Sequence, residues 1–320
     1  MRYIIYGAGA IGGTLGACLF EAGREVVLIA RGAHGRAIAE HGLRFGSPGA
    51  GWRVLSIPVV PEPGVLQLSA DDLIVLAMKS QDTVPALEAL ATIAPQSIQI
   101  ACAQNGVENE RAALRRFPNV HGMCLRMPGV HLEPGVVQVH QAGHNGICDV
   151  GSVPSGATDV DRAISADLQA AHILSDACED IMALKYAKLH LNVTNVLEAA
   201  IGTSAPDTDL SRRARQEALE VFAAAGQRVL LGRDPRVSSR GAPAAIEGTP
   251  HAGHSSFQSL ARGNPRLEAD YLNGEVVLLG RMFGIPTPAN VLLQGLAIRL
   301  VKARVPAGSL TIEEVEAGCP

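Results

Sequence analysis

The first thirteen residues, MRYIIYGAGAIGG (1–13), decide the fold. The apolar run RYIIY (2–6) reads as a short buried strand. It passes directly into Gly7-Ala8-Gly9-Ala10-Ile11-Gly12, which opens a helix-period segment at about 10–22. Gly7 permits a tight turn, Gly9 lets the backbone approach a pyrophosphate with no Cβ in the way, and Gly12 lets helix and strand pack closely. The helix start adds free N–H groups and the positive end of its dipole. This pattern reads as a dinucleotide-binding turn, the alternative being a bare strand-to-helix joint. The second apolar strand, EVVLIA at 25–30, supplies the context that favours the first.

Moving outward, apolar runs recur at 73–78 (LIVLAM) and 98–102 (IQIAC), with helix-period segments at 33–41, 82–91 and 107–116. Continuous apolar strands alternating with amphipathic helices predict a parallel sheet covered on both faces. Residues 52–60 and 119–150 carry more turn signals and β-branched residues, and predict antiparallel additions to that sheet. From about residue 180 the segments 181–201, 210–230, 266–283 and 290–304 are all helix-period. The loop from Gly232 to His254 reads as an irregular connection. The expectation is an α/β Rossmann-type N-terminal domain over 1–179 and an all-α C-terminal domain over 180–320.

Composition removes several function classes. Of 320 residues, 47% are hydrophobic and 18% charged, with a net charge of −4, which excludes a disordered chain. An acidic total with six Phe, four Tyr and one Trp argues against a nucleic-acid partner. No window resembles a membrane span, so no membrane partner is expected. The N-terminus reads as a strand rather than a signal peptide. The six cysteines (Cys18, Cys102, Cys124, Cys148, Cys178, Cys319) are scattered without metal spacing, and the ten histidines do not cluster. A cytoplasmic protein without a metal is the expectation.

Polar residues then stand out against this apolar frame. Where an NAD site ends its second strand in Asp or Glu, this chain has Arg31, whose guanidinium suits a 2′-phosphate. That favours NADP(H), although a solvated strand end would look the same. Lys79 and Asn105 leave two further strands on the edge where open α/β sheets bind ligands, and each also reads as an ordinary strand end or turn. In LKYAKLHLNVTNVLEAAIG (184–202), Lys188, Asn192 and Asn195 are spaced i, i+4, i+7 on one helical face. This is a cleft wall or a solvated stripe. Ser255 and Ser256 precede a short helix, while Glu268, Asp270 and Asn273 begin a long one, where acids also serve as caps.

Taken in order, GAGAIGG, MKSQD, AQNGVENE, YAKLHLNVTN, HSSFQS, LEADYLNG and GIPTPAN resemble the ketopantoate reductases (2-dehydropantoate 2-reductases) over nearly the whole chain. The resemblance implies an NADP-binding Rossmann domain joined to a helical domain, with the active site in the cleft between. It matches Lys188 to the catalytic lysine, Asn192 to a substrate-binding asparagine, Ser256 to the cleft serine and Glu268 to the essential acid. It matches Lys79 and Asn105 to cofactor contacts, and Arg31 to the 2′-phosphate arginine. Three departures surround the substrate motifs: Tyr186 stands where the family usually has Trp, Asn195 lies seven rather than eight residues beyond the lysine, and Phe257-Gln258-Ser259-Leu260 replaces a run to Gln-Asp.

The expected activity is therefore hydride transfer from NADPH to a small 2-oxo acid, with Lys188 as proton donor. Glu268 would bind a substrate hydroxyl or hold the lysine, and Asn192, Asn195 and Ser256 would bind the substrate. A related dehydrogenase for another keto acid, hydroxy acid or imine fits the same frame, as does a non-catalytic NADP-binding sensor. The apolar helices of the second domain bury against a twin subunit, making a homodimer, or only against themselves.

Overall fold

A computed structural model describes residues 1–202, 207–232, 234–239, 244, 246, 255–263 and 266–318. His254, Cys319 and most of the 232–254 loop lie outside the described residues. By contact density the chain forms two units. One holds residues 1–104, 109–182 and 232–251; the other holds 105–108, 183–231 and 252–320.

In the first unit the chain runs β1 (Arg2–Tyr6), α1 (Ala10–Glu21), β2 (Val26–Ile29), α2 (Gly32–His41), β3 (Leu43–Ser47), β4 (Gly51–Leu55) and β5 (Val59–Val60). It continues through β6 (Asp72–Leu76), α3 (Thr83–Ala91), β7 (Gln99–Cys102), α4 (Glu108–Leu114) and β8 (Val120–Arg126). After β9 (Gly129–Val130), β10 (Val136–Val139) and β11 (Ile147–Ser152) comes α5 (Asp159–Ala170).

A seven-stranded sheet has the order β11-β8-β7-β6-β1-β2-β5. All neighbours are parallel except β11, which runs antiparallel to β8. Strand alternation sends Tyr3 and Ile5 into one hydrophobic layer, with Leu15 and Leu19 of α1. Ile4 enters the other, with Leu87 and Leu90 of α3. The predicted parallel sheet, covered on both faces, is thus present.

The antiparallel additions need correction. Only β11 joins the main sheet that way. β4, β3, β10 and β9 instead form a separate four-stranded sheet. In it β3 pairs parallel with β10 and antiparallel with β4. The reason is packing: Val137 of β10 meets α1 at Gly13, where a Cβ would lie 2.7 Å from the valine methyl. The small sheet therefore covers α1 rather than extending the large one.

In the helical unit, α6 (Ile181–Asn192), α7 (Asn195–Ile201) and α8 (Asp209–Ala224) are followed by a return to the first unit. There α9 (Arg236–Ser239) is clamped as Arg236 donates to both carboxylate oxygens of Asp149 at 2.7 Å. The helical unit then resumes with α10 (Ser255–Ala261), α11 (Asn273–Phe283), α12 (Pro288–Lys302) and α13 (Ile312–Glu316). Two expected helices change shape. The 181–201 segment breaks at Val193-Thr194, and Glu268–Tyr271 forms a 3₁₀ turn ahead of α11 rather than its first turn. Among the described residues no helix is long and apolar enough to cross a membrane.

Candidate active site

The sheet order reverses between β1 and β6, which run parallel and so end side by side on the same edge of the sheet. Open α/β sheets bind ligands at this place. The three glycines of the turn divide the work as their spacing predicts. Gly7 has φ +103, and a Cβ on it would lie 2.7 Å from the Met78 nitrogen. A Cβ on Gly12 would lie 2.0 Å from the Gly7 carbonyl oxygen and 2.9 Å from the Ala77 side chain. Around Gly9 a Cβ would meet nothing within 4 Å. Two glycines are thus required by protein packing, and the third borders open space.

That space is a cleft of about 380 Å³, lined among others by Gly7, Ala8, Gly9, Arg31, His34 and Glu62. The first turn of α1 has no acidic residue and no side-chain cap, so its N-terminus presents a positive dipole end. Ala10, Ile11 and Gly12 lie in the helix behind; Ile11 packs on the core, and the Ala10 carbonyl accepts from Thr14 Oγ1. Arg31 is exposed at the N-cap of α2. The chemistry of a bare helix terminus, an uncovered glycine and a guanidinium fits the phosphates of a dinucleotide.

Lys79 is half-buried in the loop that follows β6, after Ala77 and Met78, at the start of the 3₁₀ turn Ser80–Asp82. The loops after β6 and β7 are tied by a buried chain. Gln104 Nε2 donates to Thr83 Oγ1 at 2.8 Å, Thr83 Oγ1 to Asn109 Oδ1 at 2.7 Å, and Asn109 Nδ2 to Ser80 Oγ at 3.1 Å. Asn105 follows in sequence but groups with the helical unit. There Gly106, at φ +80, comes so near the Tyr271 carbonyl that a Cβ would lie 2.7 Å away.

The helical unit gathers Lys188, Asn192, Asn195, Ser256 and Glu268. Lys188 is half-buried on α6, whereas Asn195, Ser256 and Glu268 are buried. The single helical face expected for Lys188, Asn192 and Asn195 is corrected here, because α6 ends at Asn192 and Asn195 starts α7. At the break the Val193 carbonyl accepts from Asn273 Nδ2 at 2.8 Å, while Thr194 Oγ1 bonds back to the Leu191 carbonyl at 3.2 Å. Side chains thus satisfy backbone groups that a continuous helix would pair within itself. The two asparagines stay together, with Asn192 Nδ2 3.5 Å from Asn195 Oδ1. Asn192 Oδ1 is buried with no hydrogen-bond partner among the described residues. The helix that starts with Ser255 and Ser256, α10, packs against α7.

Behind the break, Asn273 also donates to Asn290 Oδ1 at 3.0 Å, and Asn290 Nδ2 donates to Glu217 Oε2 at 2.8 Å. Glu217 accepts the backbone N–H groups of Ala289 and Asn290, a buried carboxylate at the N-terminus of α12. The motifs around Asn273 and Asn290 are therefore framework for the break. Tyr186 is core as well, packed edge-on against Phe222 at 5.0 Å. His34 and Glu62 also line the cleft, and nothing in the sequence marks them except the closeness of His34 to Arg31. The described cysteines are free, and no metal cluster occurs among the described residues.

Comparison with known proteins turns on both halves of the chain. Residues 3–155 match the family model "Ketopantoate reductase PanE/ApbA", and residues 180–300 match the model of its C-terminal part. The chain belongs to the ketopantoate reductase family. As a member it is an oxidoreductase of the class acting on CH–OH groups. Curated relatives named 2-dehydropantoate 2-reductase include one from Mesorhizobium japonicum, 29% identical over 95% of this chain and 99% of the relative. One from Pyrococcus abyssi is 29% identical over 92% of this chain and 96% of the relative. A crystal structure of a PanE/ApbA family ketopantoate reductase from Ralstonia eutropha is 28% identical over 95% and 99% of the two chains, with a TM-score of 0.77. A ternary structure of D-mandelate dehydrogenase with NADH shares the fold, with a TM-score of 0.78 at 21% identity over 96% of this chain and all of that one.

Proposed function

We propose that this protein reduces 2-dehydropantoate to pantoate with NADPH. The observation that carries the reading is the open space at Gly9 beside the uncapped start of α1, with Arg31 lining the same cleft. The substrate assignment draws on relatives named 2-dehydropantoate 2-reductase that align over more than nine-tenths of the chain.

In this reading the backbone N–H groups of Gly9 and Ala10 and the helix terminus hold the pyrophosphate. Arg31 pairs with the 2′-phosphate, and Lys79 and Asn105 hold the nicotinamide half. The bound dinucleotide supplies a hydride. The chain supplies the rest. Lys188 Nζ donates a hydrogen bond to the substrate carbonyl oxygen, stabilises the negative charge that develops there, and gives up its proton. Such a proton donor contributes about 10²–10⁴-fold. Asn192, with its unpartnered buried oxygen, and Asn195 bind substrate hydroxyl and carboxylate groups with Ser256. Glu268 accepts from a substrate hydroxyl or holds Lys188.

A second reading, reduction of a different 2-oxo acid on the same frame, draws on the fold shared with D-mandelate dehydrogenase. NADPH oxidation followed by absorbance separates the two. The proposal expects the highest kcat/KM with 2-dehydropantoate in a panel of 2-oxo acids. A higher value with an aryl or unbranched 2-oxo acid would install the second reading. Cofactor binding with no turnover of any member would leave a non-catalytic sensor.

A further inference from the structure

His34 stands in the first turn of α2, and its ring spans two separate pieces of backbone. Its Nε2 lies 2.8 Å from the Ala8 carbonyl oxygen, and its Nδ1 lies 2.9 Å from the Gly135 amide nitrogen. A carbonyl only accepts and an amide N–H only donates, so one state of the ring satisfies both: neutral, with the proton on Nε2. Ala8 sits between the two glycines that shape the turn. Because the peptide group is planar and trans, fixing its carbonyl direction fixes the Gly9 N–H in the opposite direction. Gly135 belongs to the turn before β10 and is itself packed on α2, where a Cβ would lie 3.0 Å from the Ala37 methyl.

We propose that His34 is the positioning residue of the phosphate-binding turn, holding the Gly9 N–H toward the ligand only while its ring is neutral. The inference rests on the reading that this cleft binds the dinucleotide. A second proton keeps the donation to Ala8 but turns Nδ1 into a donor facing the Gly135 N–H, so the bracket breaks as the ring is pushed off its Gly135 anchor and carries the Ala8 carbonyl with it. The groups around the ring pull both ways. His131, whose ring centroid is 4.1 Å away, and Arg31 oppose the extra proton when charged; Glu62 and Asp82, which line the same cleft with Tyr6, favour it. Burial holds the ring below the ordinary histidine pKa, so the bracket is intact at neutral pH.

The test is fluorescence titration of the full-length protein with NADPH and with NADH from pH 8 to 5. NADH lacks the 2′-phosphate, whose own protonation would otherwise add to the profile. For wild type the expected result is a Kd for NADH that rises toward the acid end of this range, below the ordinary histidine pKa, and a Kd for NADPH that rises at least as steeply. His34→Ala, which loses two hydrogen bonds, weakens binding about tenfold at pH 7.5 and removes the slope seen with NADH. His34→Gln, which keeps a donor for Ala8 but does not titrate, recovers most of the affinity and is also flat with NADH. His131→Gln keeps the wild-type slope. Where His34→Ala does not fold, the comparison of His34→Gln with wild type decides. A wild-type Kd for NADH that is flat or tightens toward acid, or a His34→Gln profile with the wild-type slope, overturns the role of His34 alone. A wild type that binds neither cofactor overturns both this inference and the reading beneath it.

Discussion

The side-chain amide of Asn273 donates to the carbonyl of Val193 at 2.8 Å, inside the break that sets Asn192 and Asn195 on two different helices. Asn273 is only 1% exposed and also bonds to Asn290, which is bound to Glu217. Asn273→Ala leaves a buried carbonyl and the Asn290 oxygen without this partner and costs about 2–3 kcal/mol of folding stability. If the break positions the substrate asparagines, KM for the 2-oxo acid rises while KM for NADPH stays near wild type. Steady-state kinetics with each substrate varied in turn, beside thermal unfolding, checks both halves.

The glycine turn yields a paired prediction. Gly9→Ala adds a methyl to empty space, so the melting temperature stays near wild type while the Kd for NADPH rises at least about tenfold, the scale of losing a charge-assisted hydrogen bond. Gly12→Ala drives a methyl to 2.0 Å from the Gly7 carbonyl oxygen and lowers stability as well as binding. Equal loss of stability in the two variants would contradict the division of roles.

Arg31 tests the cofactor. Arg31→Ala should raise KM for NADPH about 10- to 100-fold, the range for a hydrogen bond to a charged group, and leave KM for NADH unchanged. A loss shared equally by both cofactors would mean that Arg31 acts somewhere other than at the 2′-phosphate.

Stability toward acid rests partly on Asp161. Burial by itself raises its pKa, but hydrogen bonds from His121, Ser152 and Thr158 outweigh that and hold it at about 2, below the ordinary 3.8. His121 Nδ1 and Ser152 Oγ each approach its carboxylate at 2.6 Å. A depressed carboxylate stabilises the fold fully above its unfolded pKa, and the contribution disappears as pH falls from about 4 through about 2. At neutral pH it is worth about 2 kcal/mol. Urea unfolding of Asp161→Asn should show at least that loss at pH 7 and a shallower decline of stability between pH 4 and 2.

The parts of this molecule that a reader of the sequence finds are those whose causes are local. β1, the Gly7–Gly12 turn and α1 are encoded within twenty-one residues, and Arg31 follows at the end of the next strand. What escapes has distant causes. The small sheet pairs β3 with β10 some ninety residues on, through short strands with no strong alternation of their own. α6 breaks at Val193 because Asn273, eighty residues later, takes up the freed carbonyl. His34 acquires its place from Ala8 and Gly135, neither near it in sequence. Lys188, Asn192, Ser256 and Glu268 stand out as polar residues in apolar or helix-start positions, but their proposed roles come only from the family resemblance. Periodicity alone put Asn195 on the wrong helix.

The central claim, NADPH-dependent reduction of 2-dehydropantoate with Lys188 as the proton donor, meets its most direct test in one assay. NADPH oxidation is followed at saturating 2-dehydropantoate for wild type and for Lys188→Ala, with folding of both checked by circular dichroism. The account predicts steady turnover by wild type and less than about a tenth of it in the variant. No oxidation by wild type, or a folded Lys188→Ala that keeps more than that fraction, would contradict it.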